Sequence, residues 1–242
     1  MIGFPGIGVL ANVCGIVLGG LAGLAFGGRL AERFKQTLLL ACAICTIFLG
    51  LGGTLKEMLQ LDSSGHLVCV RTTMMLASLI GGGFLGEIIN LEDRMEQFGR
   101  FLKEKTGSHG DARFVEGFVT ASLTVCIGAM AVIGSIEDRL MAAPSILFAK
   151  TALDAIIVLI MSATMGKGCV FSALSVGIFQ GSIFLCAGLL SPIMTPQALS
   201  DLSYVGNILI FCVGLNITGL LHIRVANLLP ALVIATAWSW MF

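Results

Sequence analysis

The chain has 242 residues, of which 57% are hydrophobic and 12% charged, about half the charged share of roughly 25% usual in soluble domains. A soluble fold of this size has no way to hide so much apolar surface, so the composition predicts an all-α, polytopic membrane protein in a single transmembrane domain, residues 1–242. Lys+Arg and Asp+Glu balance at 14 each, which gives no basic excess for nucleic acid and no acidic tail.

A helix needs about 20 mostly apolar residues to cross a bilayer. Eight stretches qualify: Pro5–Gly28, Thr37–Leu55, Thr72–Asn90, Phe114–Ile136, Ile146–Met165, Cys169–Leu190, Val205–Ile223 and Val225–Phe242. Only Arg224 divides the last two, so seven spans with one long re-entrant segment is the alternative there. The apolar runs are continuous rather than alternating, which argues against a membrane barrel. Between the third and fourth spans, Leu91, Met95, Phe98 and Leu102 recur at helical spacing with charges around them, so residues 91–105 predict a cytoplasmic amphipathic helix. Thr106–Asp111 reads as a turn. Ser191–Tyr204, with Pro192 and Pro196, reads as an ordered extracytoplasmic loop.

With the N-terminus outside, the inner connections carry Arg29, Arg33, Lys35, Arg94, Arg100, Lys103, Lys105, Arg113, Lys167 and Arg224, and the outer ones only Lys56, Arg71 and Arg139. Ten against three predicts both termini outside the cytoplasm. The first span has no basic flank and no cleavage signature, so it reads as a retained helix. Three spans being an odd number, spans one to three and four to six permit an inverted repeat, supported thinly by Arg29–Leu30 and Arg139–Leu140. Ala11, Gly15, Gly19, Gly23 and Gly27 form a small-residue ribbon along the first helix. It suits close packing within the bundle or, as the alternative, the subunit interface of a homo-oligomer.

Sites of catalysis are hard to find. Gly81–Gly86 matches G-x-G-x-x-G, but it lies inside an apolar helix with no strand before it. Cys42 and Cys45 have no basic neighbour and no second pair, and His66, His109 and His222 are scattered. No metal, no cofactor and no enzyme activity are expected. What stands out is charge within hydrocarbon: Lys150 and Asp154 at i,i+4 on the fifth span. They suit a proton or cation site with Asp154 as carrier, and equally a buried pair that fixes packing. Asn12, Asn207, Asn216 and Ser122 can hydrogen-bond across helices. Glu87, with Asn90 and Glu92 after it, gathers oxygens at one helix end.

These residues also carry a resemblance. Asn12 with Gly19–Gly20 and Gly23, Gly86–Glu87 with Glu92, Gly128–Met130 with Gly134, Pro144–Lys150 running to Leu153–Asp154, Val205–Gly206, Gly214–Leu215 and Asn227–Leu232 are together similar to the YqgA/YdfK-like family of bacterial inner-membrane proteins (domain of unknown function 554). The resemblance implies a multi-pass membrane protein with no established activity. Joined to the residue reading, it gives a small-molecule or ion transporter or channel in the lipid bilayer, copies of the chain assembling as a homo-oligomer, with Asp154, Lys150, Asn12, Asn207, Asn216, Ser122 and Glu87 as binding residues. A structural or sensory membrane protein, or an enzyme acting on lipid or quinone, are the rivals.

Overall fold

The computed structural model describes residues 4–27, 31–108, 110–126, 129–190, 192 and 194–241. Gly28, Arg29, Leu30, His109, Gly128, Ser191 and Phe242, which enter the expectations above, lie outside the described residues. Among the described residues ten α-helices run in chain order: α1 (Ile7–Gly27), α2 (Glu32–Met58), α3 (Thr72–Ile89), α4 (Leu91–Lys105), α5 (Phe114–Cys126), α6 (Ala129–Met141), α7 (Ser145–Met165), α8 (Ser172–Leu190), α9 (Pro196–Ile217) and α10 (Pro230–Met241). Short 3-10 turns, Lys167–Phe171 and Val225–Leu228, lead into α8 and α10. A two-stranded antiparallel hairpin, β1 (Leu59–Leu61) and β2 (Leu67–Cys69), links α2 to α3.

Large apolar side chains point outward all along these helices, including Leu18, Phe48, Ile80, Ile156 and Leu185. Inside lie Asn12, Asp138, Lys150, Asp154, Gln180 and Asp201. A soluble protein would invert that distribution, whereas a bilayer solvates the apolar exterior and leaves the polar groups to find partners within.

The described residues give six or seven candidate spans and do not confirm eight. Among the described residues, six helices are long and apolar enough to cross: α1, α2, α3, α7, α8 with its leading 3-10 turn, and α9. The fourth expected span is broken: α5 and α6 meet at a 62° bend, and the pair makes a seventh crossing if counted as one. Hydropathy is blind to such a break, because half-helices in hydrocarbon are as apolar as a whole one. The expected eighth span is the twelve-residue α10, too short to traverse about 30 Å at 1.5 Å per residue.

Ser191–Tyr204 is also corrected, since α9 already begins at Pro196. The Thr195 hydroxyl accepts from Ala198 N–H at 3.1 Å, and Pro196 fills the first helical turn, where its missing N–H costs nothing. At the other end α9 stops at Ile217, seven residues before Arg224. α3 stops at Asn90, which adopts the left-handed conformation (φ 54°) and donates its N–H to Gly86 O at 2.7 Å.

Among the described residues three helix pairs meet at backbone distance, α1 with α7, α2 with α9, and α3 with α10, where a Cβ on Gly82 would lie 2.3 Å from Ala231 N. A Cβ added to Gly19 would lie 2.3 Å from Ala155 O, and one added to Gly23 would lie 2.1 Å from Leu159 O, so α1 rests directly on α7. A Cβ on Gly50 would lie 2.4 Å from Phe211 N, which sets α2 as tightly on α9. Only glycine permits such approach.

Candidate functional site

The i,i+4 spacing of Lys150 and Asp154 puts both on the inner face of α7. Lys150 Nζ lies 2.9 Å from each Asp154 carboxylate oxygen. Asn12 on α1 donates its Nδ2 to Asp154 Oδ2 at 3.0 Å. Lys150 Nζ also donates to Val125 O at 2.8 Å. That carbonyl belongs to the last turn of α5, where helix ends leave carbonyls without intrahelical partners. The ammonium thus satisfies both a carboxylate and the negative end of a half-helix. Asp154 is 3% exposed, Lys150 7% and Asn12 0%, so the group is closed over rather than open to an aqueous cavity. Asn12 Oδ1 has no hydrogen-bond partner.

The other expected site residues lie elsewhere. Asn207 donates to Ser203 Oγ at 3.2 Å and fills the space above Gly53 in the α2–α9 contact. Asn216 makes two hydrogen bonds to the Ile223 backbone, 2.7 and 2.8 Å, and closes the turn after α9. Ser122 is hydrogen-bonded to Ser175 at 2.9 Å in the wall of a mostly apolar cavity of about 1140 Å³. Phe118, Ile178, Leu229, Trp240 and Arg94 also line that cavity. Cys126, beside Val125, also reaches it.

Glu87 joins a second polar assembly. Its carboxylate accepts from Asn227 Nδ2 at 2.8 Å and from Arg224 Nη1 at 2.9 Å. Asn227 Oδ1 in turn accepts from Glu92 N–H at 2.7 Å, and Glu92 Oε2 accepts from Ala226 N–H at 2.9 Å. These bonds moor the turn before α10 to the junction of α3 and α4. Burial pushes the Glu92 carboxyl above its ordinary range, opposed by the hydrogen bond from Ala226.

Two buried carboxylates did not stand out in the sequence. Asp201, in the opening turns of α9, receives Arg71 Nη1 at 2.8 Å and Gln197 Nε2 at 3.1 Å. Asp138 on α6 accepts from the N–H groups of Gly8 and Val9 at 3.0 and 3.3 Å, capping the start of α1. Its neighbours Glu137 and Arg139 make it read as part of a charged connection. The only signal available was that an acidic residue at a span end suits a helix N-terminus.

An apolar exterior, six or seven crossings and paired internal charges define a multi-pass helical membrane protein. The chain belongs to a family described as "Protein of unknown function (DUF554)", which it matches over residues 7–240. It is 30% identical over 227 residues to the "Uncharacterized membrane protein YdfK" of Bacillus subtilis (strain 168), covering 94% of this chain and 93% of that protein. It is 26% identical over 247 residues to the "Uncharacterized protein YqgA" of Escherichia coli (strain K12), covering 98% and 99% respectively. No solved structure matches.

Proposed function

We propose that this protein is a small, non-enzymatic transporter or channel for an ion or small molecule, and that Asp154, Lys150 and Asn12 form its working polar site. The observation that carries the reading is the 62° break between α5 and α6 beside this group, with Val125 O turned to Lys150. Transporters use broken helices to bring backbone dipoles to the bilayer interior, where a charged ligand can exchange partners with them. In this reading Asp154 carries the ligand charge, and Lys150 moves between the carboxylate and the α5 carbonyl. The reading includes a bacterial inner-membrane location, termini outside the cytoplasm on the ten-to-three basic count, and assembly as a homo-oligomer.

A structural role is the second reading, favoured by the closure of the pair, with Asp154 only 3% exposed. Solute classes are first screened by thermal shift of the purified protein against ions, amino acids, organic acids and sugars. Flux of a stabilising solute is then measured in proteoliposomes. The double variant Asp154→Asn, Lys150→Met should fold and lose flux. A folded double variant with full flux makes the pair structural and ends the assignment of Asp154 as the working carboxylate.

A further inference from the structure

The polar layer around Asn12 contains more negative charge than positive. Lys150 and Asp154 cancel. Asp138, 0% exposed, adds one negative charge, and among the described residues no cation pairs with it. Its Oδ2 takes the two backbone N–H groups at the start of α1, but Oδ1 has no partner. The positive end of a helix supplies about half a charge, and a buried carboxylate needs a full one.

Two further side chains in the same layer are buried and unsatisfied. Asn12 lies one turn along α1 from Gly8, about 6 Å away at 1.5 Å per residue, and its Oδ1 is free. Gln180 on α8 is 0% exposed, and neither its Oε1 nor its Nε2 has a partner. Contacts fix its height. A Cβ on Gly177 would lie 3.5 Å from Val13, and one on Gly6 would lie 3.4 Å from Phe184, so α8 runs antiparallel to α1. Gln180 falls between those two levels, on the inward face that it shares with Val176 and Ile183. It therefore sits at the level of Asn12 and Val9. Each bare buried amide oxygen costs free energy in a bilayer, and three free oxygens at one level with one uncompensated charge share a single remedy.

We propose that Asp138, Asn12 and Gln180 bind one monovalent inorganic cation of the sodium class in the layer between α1, α6 and α8. Water can satisfy the amides but leaves the charge standing. A divalent ion would leave the layer with a net charge of the opposite sign. Carboxylate and amide oxygens are the donors that hard cations take. The site shares Asn12 with the transport reading but does not rest on it, because binding is measured without flux.

The test is thermal unfolding of the full-length protein in detergent, with NaCl, LiCl or KCl exchanged for choline chloride at constant ionic strength. At least one alkali cation should raise the midpoint saturably, by about 8 °C at a hundred times its Kd. Asp138→Asn should abolish the rise, and Gln180→Ala should move half-saturation at least about tenfold higher, the scale on which a buried polar partner counts. Should Asp138→Asn fail to fold, the wild-type isotherm and Gln180→Ala decide. Identical midpoints in all four salts overturn the proposal, as does an unchanged response in Asp138→Asn or in Gln180→Ala. A wild type that ignores alkali cations but is stabilised by lowering the pH, an effect lost in Asp138→Asn, identifies the missing charge as a proton and likewise overturns it. Loss of flux in a variant that keeps its cation response bears on transport alone.

Discussion

Replacing Gly19 by alanine tests the α1–α7 contact with one methyl group. The added Cβ would sit 2.3 Å from Ala155 O, 2.9 Å from Ala155 C and 3.0 Å from Ala155 Cα, where ordinary contact begins at 3.4 Å. All three are backbone atoms, so no rotamer change relieves them. The helices must separate by about 1 Å, loosening the contacts at Gly15, Gly23 and Gly27 as well. Overpacking of this kind costs about 1–3 kcal/mol, against about 1 kcal/mol gained from alanine's helix propensity. Gly181 on α8 is the internal control, since a Cβ there meets nothing within 4 Å and only the propensity gain applies. Gly19→Ala should therefore unfold below Gly181→Ala by about 5 °C in detergent, about 2 kcal/mol at the two to four degrees per kcal/mol expected for a chain of this length. Equal midpoints for the two variants would refute the close approach of α1 to α7.

Asp154→Asn alone should destabilise the protein by about 3 kcal/mol, because it leaves Lys150 buried with one carbonyl and no counter-charge. Adding Lys150→Met should recover much of that loss in the same denaturation assay, and no recovery would mean that the two residues are not coupled. For Glu92, a folded-state pKa above the unfolded value means that its contribution is fully present below the unfolded pKa and is lost as pH rises through the folded one. Glu92→Gln should flatten that decline as pH rises above the ordinary glutamate range, and an unchanged pH profile would show that the carboxyl does not sense its burial.

What the sequence revealed follows the physics of each signal. α3 and α7 are legible because a mostly apolar run of span length has one low-energy solution in a bilayer. The Lys150–Asp154 pair was legible because i,i+4 spacing fixes a shared face whatever surrounds it. The start of α9 was not, since Gln197, Ser200 and Asp201 resemble a loop until Arg71, 130 positions earlier, is known to arrive. Pro196, which suggests a loop when read alone, occupies the first turn of α9 behind the Thr195 cap. Asn207 and Asn216 were grouped with Asn12 because residue type reveals hydrogen-bonding capacity, while the direction each side chain faces depends on neighbours distant in sequence. Asp138 shows the same limit in reverse: its donors belong to Gly8 and Val9, and backbone donors leave no trace in composition.

Backbone-to-backbone contact binds α1 to α7, α2 to α9, and α3 to α10 in stiff blocks. Sliding within a block would drive carbonyl oxygens through glycine α-carbons, so relative movement is confined to the seams between blocks, where flexible side chains meet. The Asn12–Asp154 bond lies wholly inside the α1–α7 block and travels with it. The Lys150–Val125 bond crosses from that block to α5. On the proposed transport reading, parting the seam would break the ammonium's hold on the half-helix while the carboxylate keeps its amide, with Lys150 as the latch and Asp154 as the fixed post.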